Sequence, residues 1–197
     1  MNAAGGVETV GAAGEPRPSG VRAAGEPRPA AREVIAAATE RSLTVSTCES
    51  LTAGLVAASL ADVPGASAVL RGGLVTYATG LKHSLAGVDA DLLSERGAVD
   101  PDVALQMARG AAQVCGADFG VSCTGVAGPE PQDGKPVGRV YIGLWRAGGG
   151  SAGDGSAGRG DGEGRGRVER FDFSGSRAQI RSQVVDACLE LLAAAVK

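Results

Sequence analysis

The sequence predicts a three-layer α/β/α single domain with a mixed sheet, and three observations carry that expectation. Strand-like β-branched runs alternate with helix-length segments from about residue 30 onward, the pattern of layered α/β folds. Asp100-Pro101 and Gly116 bracket one long helix with an N-cap, a proline at the first helical position and a C-cap residue. Arg139–Trp145 and Val168–Phe173 read as two successive strands of a hairpin. A chain of 197 residues suits one domain with some decoration. It can bury a full core without disulfides or metal.

The elements follow in order. Residues 1–29 are rich in Ala, Gly, Pro and charge, and contain the exact repeat Ala12–Pro18 and Ala23–Pro29. Two copies cannot stack into a solenoid, so this segment is read as a disordered tail. The folded part is expected over residues 30–197. A first helix is expected over Ala30–Glu40, and the β-branched Leu43–Cys48 as a strand. A helix over Thr52–Ala61 ends at Asp62 and Pro64. Ala68–Thr79 reads as strand, with a bulge at Gly72-Gly73. Asp89–Glu95 is a short helix that stops before Gly97. After the Pro101 helix, Phe119–Cys123 is a strand leading into Thr124-Gly125. Residues 147–167, mostly Gly, Ser, Asp and Arg, form a flexible insertion inside the hairpin. Ser176 caps a last helix that ends near Val196.

Composition excludes several function classes. The net charge is −3 and aromatics are 3% of the chain, so neither a basic nucleic-acid surface nor a base-stacking platform is expected. The N-terminus has no basic segment followed by an apolar one, and no run reaches the roughly 18 apolar residues of a membrane span. A cytoplasmic protein with no nucleic-acid or membrane partner is the expectation; homo-oligomer formation is left open. The cysteines Cys48, Cys115, Cys123 and Cys188 form no Cys-x-x-Cys pair, and His83 is the single histidine. No metal site is expected. Any serine nucleophile must use His83 or a base that is not histidine.

Three strand ends carry residues with chemical potential. Glu49-Ser50-Leu51-Thr52-Ala53-Gly54 lies between a strand and a helix. N–H groups at that helix start would favour an anion or a developing oxyanion, and a serine there could attack a carbonyl. The same serine would serve equally as a helix N-cap. Tyr77 to His83 follows the next strand. Lys82 could act as a base if desolvation lowers its pKa, or it could be a solvated lysine; His83 remains the other candidate. Thr124-Gly125-Val126-Ala127-Gly128-Pro129 and Lys135-Pro136-Val137-Gly138 form the third segment. Its glycines would let backbone approach a ligand such as phosphate, or they make an ordinary turn.

Together these segments resemble the CinA C-terminal-domain family, the nicotinamide mononucleotide amidohydrolases. The resemblance spans about Ala30 to Val196 without the Gly-rich insertion. The family's A-E-S-C-T-G-G segment stands here as Cys48-Glu49-Ser50-Leu51-Thr52-Ala53-Gly54. Its Tyr-x-x-x-x-Lys is Tyr77 to Lys82, and its H-G-A-V-S is Arg96-Gly97-Ala98-Val99-Asp100. Its [S/T]-G-I-A-G-P and K-P-V-G are Thr124–Pro129 and Lys135–Gly138. Its F-S-G-x-R is Phe173-Ser174-Gly175-Ser176-Arg177.

The resemblance implies a Ser/Lys hydrolase with Ser50 as nucleophile, Lys82 as its base, and Tyr77 and Thr124 assisting. It implies substrate contacts from Glu49, Thr52, Gly54, Gly125, Gly128 and Arg177. No cofactor is implied, and the partner is a small-molecule nucleotide. The chain departs from the family pattern at Ala53, at Thr79 and Gly80, and in the Pro129–Gly134 loop. The larger family also carries a molybdopterin-binding-like domain that these residues do not include. Two rival functions follow from the departures. One is a non-catalytic nucleotide-binding protein linked to competence or DNA-damage responses. The other is a Ser/Lys amidase for a different carboxamide.

Overall fold

The computed structural model describes residues 26–148 and 164–197. The elements are α1 Pro29–Glu40, β1 Val45–Glu49, α2 Leu55–Ala61, a 3-10 turn Ala66–Ala68, β2 Leu70–Val75, α3 Thr79–Ala86, α4 Ala90–Arg96, α5 Pro101–Cys115, β3 Phe119–Gly125, β4 Arg139–Arg146, β5 Arg165–Asp172 and α6 Arg177–Val196. The strands form one sheet in the order β2-β1-β3-β4-β5. β1 runs parallel to β2 and β3, whereas β4 runs antiparallel to β3 and β5. The sheet is therefore mixed. α1, α2 and α6 cover one face, and α5 with α3 and α4 the other. This is the three-layer α/β/α arrangement that the sequence predicts.

Strand alternation sorts the side chains between the layers. On β3, Phe119, Val121 and Cys123 join the core under α1 and α6. Ser122, between them, turns to the other face and donates to the Ala104 carbonyl of α5. On β1, Cys48 faces the α5 side with Val103 and Met107. The local signals also hold. The Asp100 side chain accepts from the Asp102 N–H at 2.8 Å, and Gly116 ends α5 with φ 60°. Ser176 and Gln179 make a reciprocal capping box at the start of α6.

Four differences from expectation matter. β2 ends at Val75, and the chain from Thr79 turns into α3. A Cβ on Gly110 of α5 would lie 1.9 Å from the Ala86 carbonyl of α3, so only glycine lets these two helices touch. The irregular register between β1 and β2 passes over Arg71, one residue before the glycine pair. β4 and β5 continue into the presumed insertion, because Arg146 pairs with Arg165 and Leu144 with Arg167; residues 149–163 lie outside the described residues. The first helix also begins inside the expected tail. Arg28 ion-pairs with Asp186 and donates to Ser182, and Pro29 opens α1; residues 1–25 lie outside the described residues.

The topology places a crevice. After β1 the chain crosses to β2 through α2 on one face, then reaches β3 through α5 on the opposite face. Ligands of open α/β sheets bind where such connections diverge, at the carboxyl ends of the strands. Those ends carry Ser50, Thr76-Tyr77 and Thr124. Among the described residues no helix is long and apolar enough to cross a membrane, and no group of three or more His, Cys, Asp or Glu could hold a metal.

Candidate active site

Ser50 is the first residue beyond β1, and its N–H donates to the Cys123 carbonyl at 3.1 Å. That bond ties the Ser50 turn to the end of β3. Lys82 comes from the middle of α3 and is 1% exposed. Its Nζ donates to Ser50 Oγ at 3.1 Å and to the Thr76 carbonyl at 2.8 Å. Burial pushes the Lys82 pKa below the ordinary lysine value, with Cys48, Cys123 and Asp133 pulling weakly the other way. The Cys48 thiol is itself pushed up to about 12, chiefly by burial, so it offers Lys82 no counter-charge near neutral pH. His83, one residue on, is exposed and pairs through Nδ1 with the Val88 carbonyl at 2.8 Å. Of the two candidate bases, the fold brings Lys82 and not His83 to Ser50.

Glu49 behaves differently from expectation. It is fully buried, and its carboxylate caps α2 instead of facing the crevice. Oε2 accepts from Thr52 Oγ1 at 2.7 Å, the Gly54 N–H at 2.9 Å and the Val56 N–H at 3.0 Å. Oε1 accepts from the Ala57 N–H at 2.8 Å and from Thr47 Oγ1 at 3.2 Å. Three residues expected to touch substrate are therefore turned inward: Glu49, Thr52 through its hydroxyl, and Gly54 through its N–H. The N–H groups of the helix start are likewise occupied by protein. Two backbone donors in the preceding turn are not. Among the described residues, neither the Leu51 nor the Thr52 N–H meets an acceptor. The turn itself is closed by the Ala53 N–H on the Ser50 carbonyl at 3.1 Å.

The remaining predicted residues divide into two groups. Thr124 lies at the end of β3, and its hydroxyl donates to the Ala98 carbonyl at 2.6 Å. Gly125 gives its missing side chain to β4, since a Cβ there would lie 2.6 Å from the Arg139 carbonyl; its space is filled by protein. Tyr77, Gly128 and Arg177 meet at the surface. Arg177 Nη2 donates to the Tyr77 hydroxyl at 2.7 Å and Nη1 to the Gly128 carbonyl at 2.8 Å. Tyr77 is 55% exposed, and among the described residues no hydrogen bond joins it to Ser50 or Lys82.

Sequence reasoning missed three residues. Thr76 supplies the carbonyl that holds Lys82. Asp133 accepts from the Ala98 N–H at 3.1 Å and so pins the Pro129–Gly134 loop over the segment that Thr124 grips. Arg181 reaches the Ser50 turn from α6. Only Arg181 had a readable signal: it stands four residues after Arg177 and so shares its helix face.

Comparison with known proteins agrees with this fold. A family model described as the CinA C-terminal domain matches residues 28–196. A CinA-like protein of Frankia casuarinae is 53% identical over 105 residues, covering 53% of this chain and 24% of that protein. A CinA-like protein of Geobacter sulfurreducens is 42% identical over 154 residues, covering 78% of this chain and 33% of that protein. The chain thus spans about a quarter to a third of the length of these relatives. The crystal structure of the competence/damage inducible protein CihA from Agrobacterium tumefaciens matches with a TM-score of 0.72 at 35% identity, over 84% of this chain and 92% of that one. A competence-damaged protein (CinA) superfamily protein from Klebsiella pneumoniae matches with a TM-score of 0.73 at 26% identity, over 85% of this chain and 95% of that one. Family model, relatives and fold all agree with the motif order, and the chain belongs to the CinA C-terminal domain family.

Proposed function

We propose that this chain is an amidohydrolase that converts nicotinamide mononucleotide to nicotinate mononucleotide and ammonia by a Ser/Lys mechanism. The observation that carries the reading is the hydrogen bond between Lys82 Nζ and Ser50 Oγ at 3.1 Å, made by a lysine whose burial favours the neutral amine. A neutral amine is a base, and a serine beside it is an activated nucleophile.

The steps follow from this pairing. Ser50 Oγ attacks the carboxamide carbon as its proton passes to Lys82. The carbonyl oxygen becomes an oxyanion, and the Leu51 N–H, which has no acceptor among the described residues, is the donor that could receive it. Lys82 returns the proton to the amide nitrogen, the C–N bond breaks and ammonia leaves. Water then attacks the acyl-serine while Lys82 takes its proton; Lys82 passes that proton to Ser50 Oγ as the acyl C–O bond breaks, and the acid leaves as its carboxylate, releasing the remaining proton to solvent. Thr124 donates its proton to Ala98, so its oxygen is left to accept from the carboxamide NH2 group. Arg177 has no carboxylate partner among the described residues, and its exposed guanidinium suits the substrate phosphate.

One observation favours a broader substrate range. The chain departs from the family pattern at Thr79 and Gly80, in the first turn of the helix that carries Lys82. The second reading is a Ser/Lys amidase acting on another carboxamide. Ammonia release from nicotinamide mononucleotide by the purified protein, lost in Ser50→Ala, is the expected result. Release that survives Ser50→Ala would end the Ser/Lys reading. Faster release from simple pyridine carboxamides than from the nucleotide would favour the second one.

A further inference from the structure

Arg181 lies on α6, one turn after Arg177, and extends to the turn that carries the nucleophile. Its Nε donates to the Leu51 carbonyl and its Nη2 to the Thr52 carbonyl, both at 2.9 Å. The side chain is half-buried, and no carboxylate pairs with it among the described residues. The nucleophile turn therefore receives an uncompensated cation through two carbonyls that are 130 and 129 residues away in sequence.

The consequence comes from peptide geometry. A trans peptide holds its C=O and its N–H on opposite sides, and the only cis bond among the described residues is Gly128-Pro129. The Leu51 carbonyl is drawn toward α6. The N–H of the same peptide, that of Thr52, is thereby turned away from α6. The peptide before it is oriented in the same sense, because the Ser50 carbonyl is held by the Ala53 N–H. Neither the Leu51 nor the Thr52 N–H has an acceptor among the described residues; Thr52 is wholly enclosed whereas Leu51 is 5% exposed, so the Leu51 N–H is the one that belongs to a residue with surface open to a ligand. Buried donors without partners destabilise a fold and mark a site that something else completes. A cation on a carbonyl oxygen also polarises the peptide and makes its N–H a stronger donor.

We propose that Arg181 is a positioning residue for the oxyanion site: by gripping the Leu51 and Thr52 carbonyls it fixes the turn in which the Leu51 N–H faces the oxygen of the reacting carboxamide. It never touches substrate. The inference rests on the reading of Ser50 as a nucleophile that acts on a carboxamide. It adds a residue from α6 to a site otherwise built from strand ends and α3.

The test compares Arg181→Ala, Arg181→Lys and Ser50→Ala in the full chain, with ammonia release from nicotinamide mononucleotide and thermal melting as readouts. Losing one oriented oxyanion donor lowers kcat by about 100-fold. Arg181→Ala should show a loss of that order with KM within about 3-fold, because the donor acts on the transition state. Added methylguanidinium should recover part of the lost kcat. Arg181→Lys keeps the charge but cannot fork onto two carbonyls, so it should fold and still lose about 10-fold in kcat. It keeps the proposal testable should the alanine variant unfold. A wild-type kcat in Arg181→Lys overturns the inference, as does a loss confined to KM in Arg181→Ala. If Ser50→Ala is dead in either of those cases, the positioning role alone fails. If Ser50→Ala remains active, the Ser/Lys reading and this inference fail together.

Discussion

Glu49 Oε2 accepts the Val56 N–H at 3.0 Å, so the carboxylate one residue before Ser50 is the cap of the helix that follows it. Ser50 is thus held between a buried acid that anchors α2 and a backbone bond to β3. Glu49→Gln should be strongly destabilising, because an amide replaces one acceptor end with donors that face other donors. A loss of about 2 kcal/mol or more is expected from the unmatched buried groups. Chemical denaturation would measure it. An unchanged midpoint would mean that the cap is dispensable and that Glu49 is free to serve substrate after all.

Lys82 sets the pH dependence. Its pKa in the folded chain lies below the unfolded value because burial disfavours the ammonium form. Activity should rise with pH through that lowered pKa, as the neutral base forms. Stability has the same sign: between the folded and unfolded pKa values the unfolded chain binds more protons, so stability rises with pH. The burden is fully present below the folded pKa. Lys82→Met should therefore gain stability relative to wild type at neutral pH, and the gain should shrink as pH approaches the ordinary lysine value. It should also be inactive. His83→Ala should keep most activity, and an inactive His83→Ala beside an active Lys82→Met would reverse the assignment of the base.

Ala53 has φ 53°, a left-handed conformation in a position where the family pattern has glycine. A non-glycine residue there costs roughly 1–2 kcal/mol, while glycine loses about 0.4–1 kcal/mol through the freedom of the unfolded chain. Ala53→Gly should therefore stabilise by up to about 1.6 kcal/mol, at most a rise of roughly 3–6 °C in Tm for a chain of this size. A lower Tm would show that the methyl group packs well enough to outweigh the backbone strain.

Arg177 joins Tyr77 to the Gly128 loop through exposed hydrogen bonds. Exposed pairs contribute little to stability, so Arg177→Ala should melt close to wild type. Its effect should fall on substrate affinity, with KM for nicotinamide mononucleotide raised about 10-fold and kcat changed much less. Comparing the nucleotide with its dephosphorylated nucleoside sharpens the test. An equal rise in KM for both would show that Arg177 orders the loop and does not read the phosphate.

The elements most legible in the sequence were those ended by their own side chains. Asp100, Gly116 and Ser176 mark α5 and α6 correctly, because a cap is satisfied within a few residues of the chain. α3 was not legible. Tyr77 and Thr79 favour strand, Gly80 disfavours helix, and the helix buries only Lys82 and Ala86 among its eight residues. Its periodicity is too thin to be read, and packing against Gly110 decides its place. The site was partly legible. Ser50 and Lys82 were named from motif order, while Glu49, Thr52, Gly54 and Gly125 were expected at the ligand and lie turned into the protein.

By itself the sequence determined the alternation of elements, their caps and the mixed α/β/α class, and the resemblance of its motifs to a known family named Ser50 and Lys82. The elements and caps depend on local hydrogen bonding and on side-chain period, both of which can be read along the chain. Tertiary structure alone decided which backbone donors stay open. Glu49 takes the N–H groups of α2, and Arg181, 130 residues from Leu51, turns the next peptide the other way. A peptide's orientation is set by whatever meets its carbonyl and its N–H. When those partners come from a distant helix, no local pattern records them, and only the packed fold makes the choice.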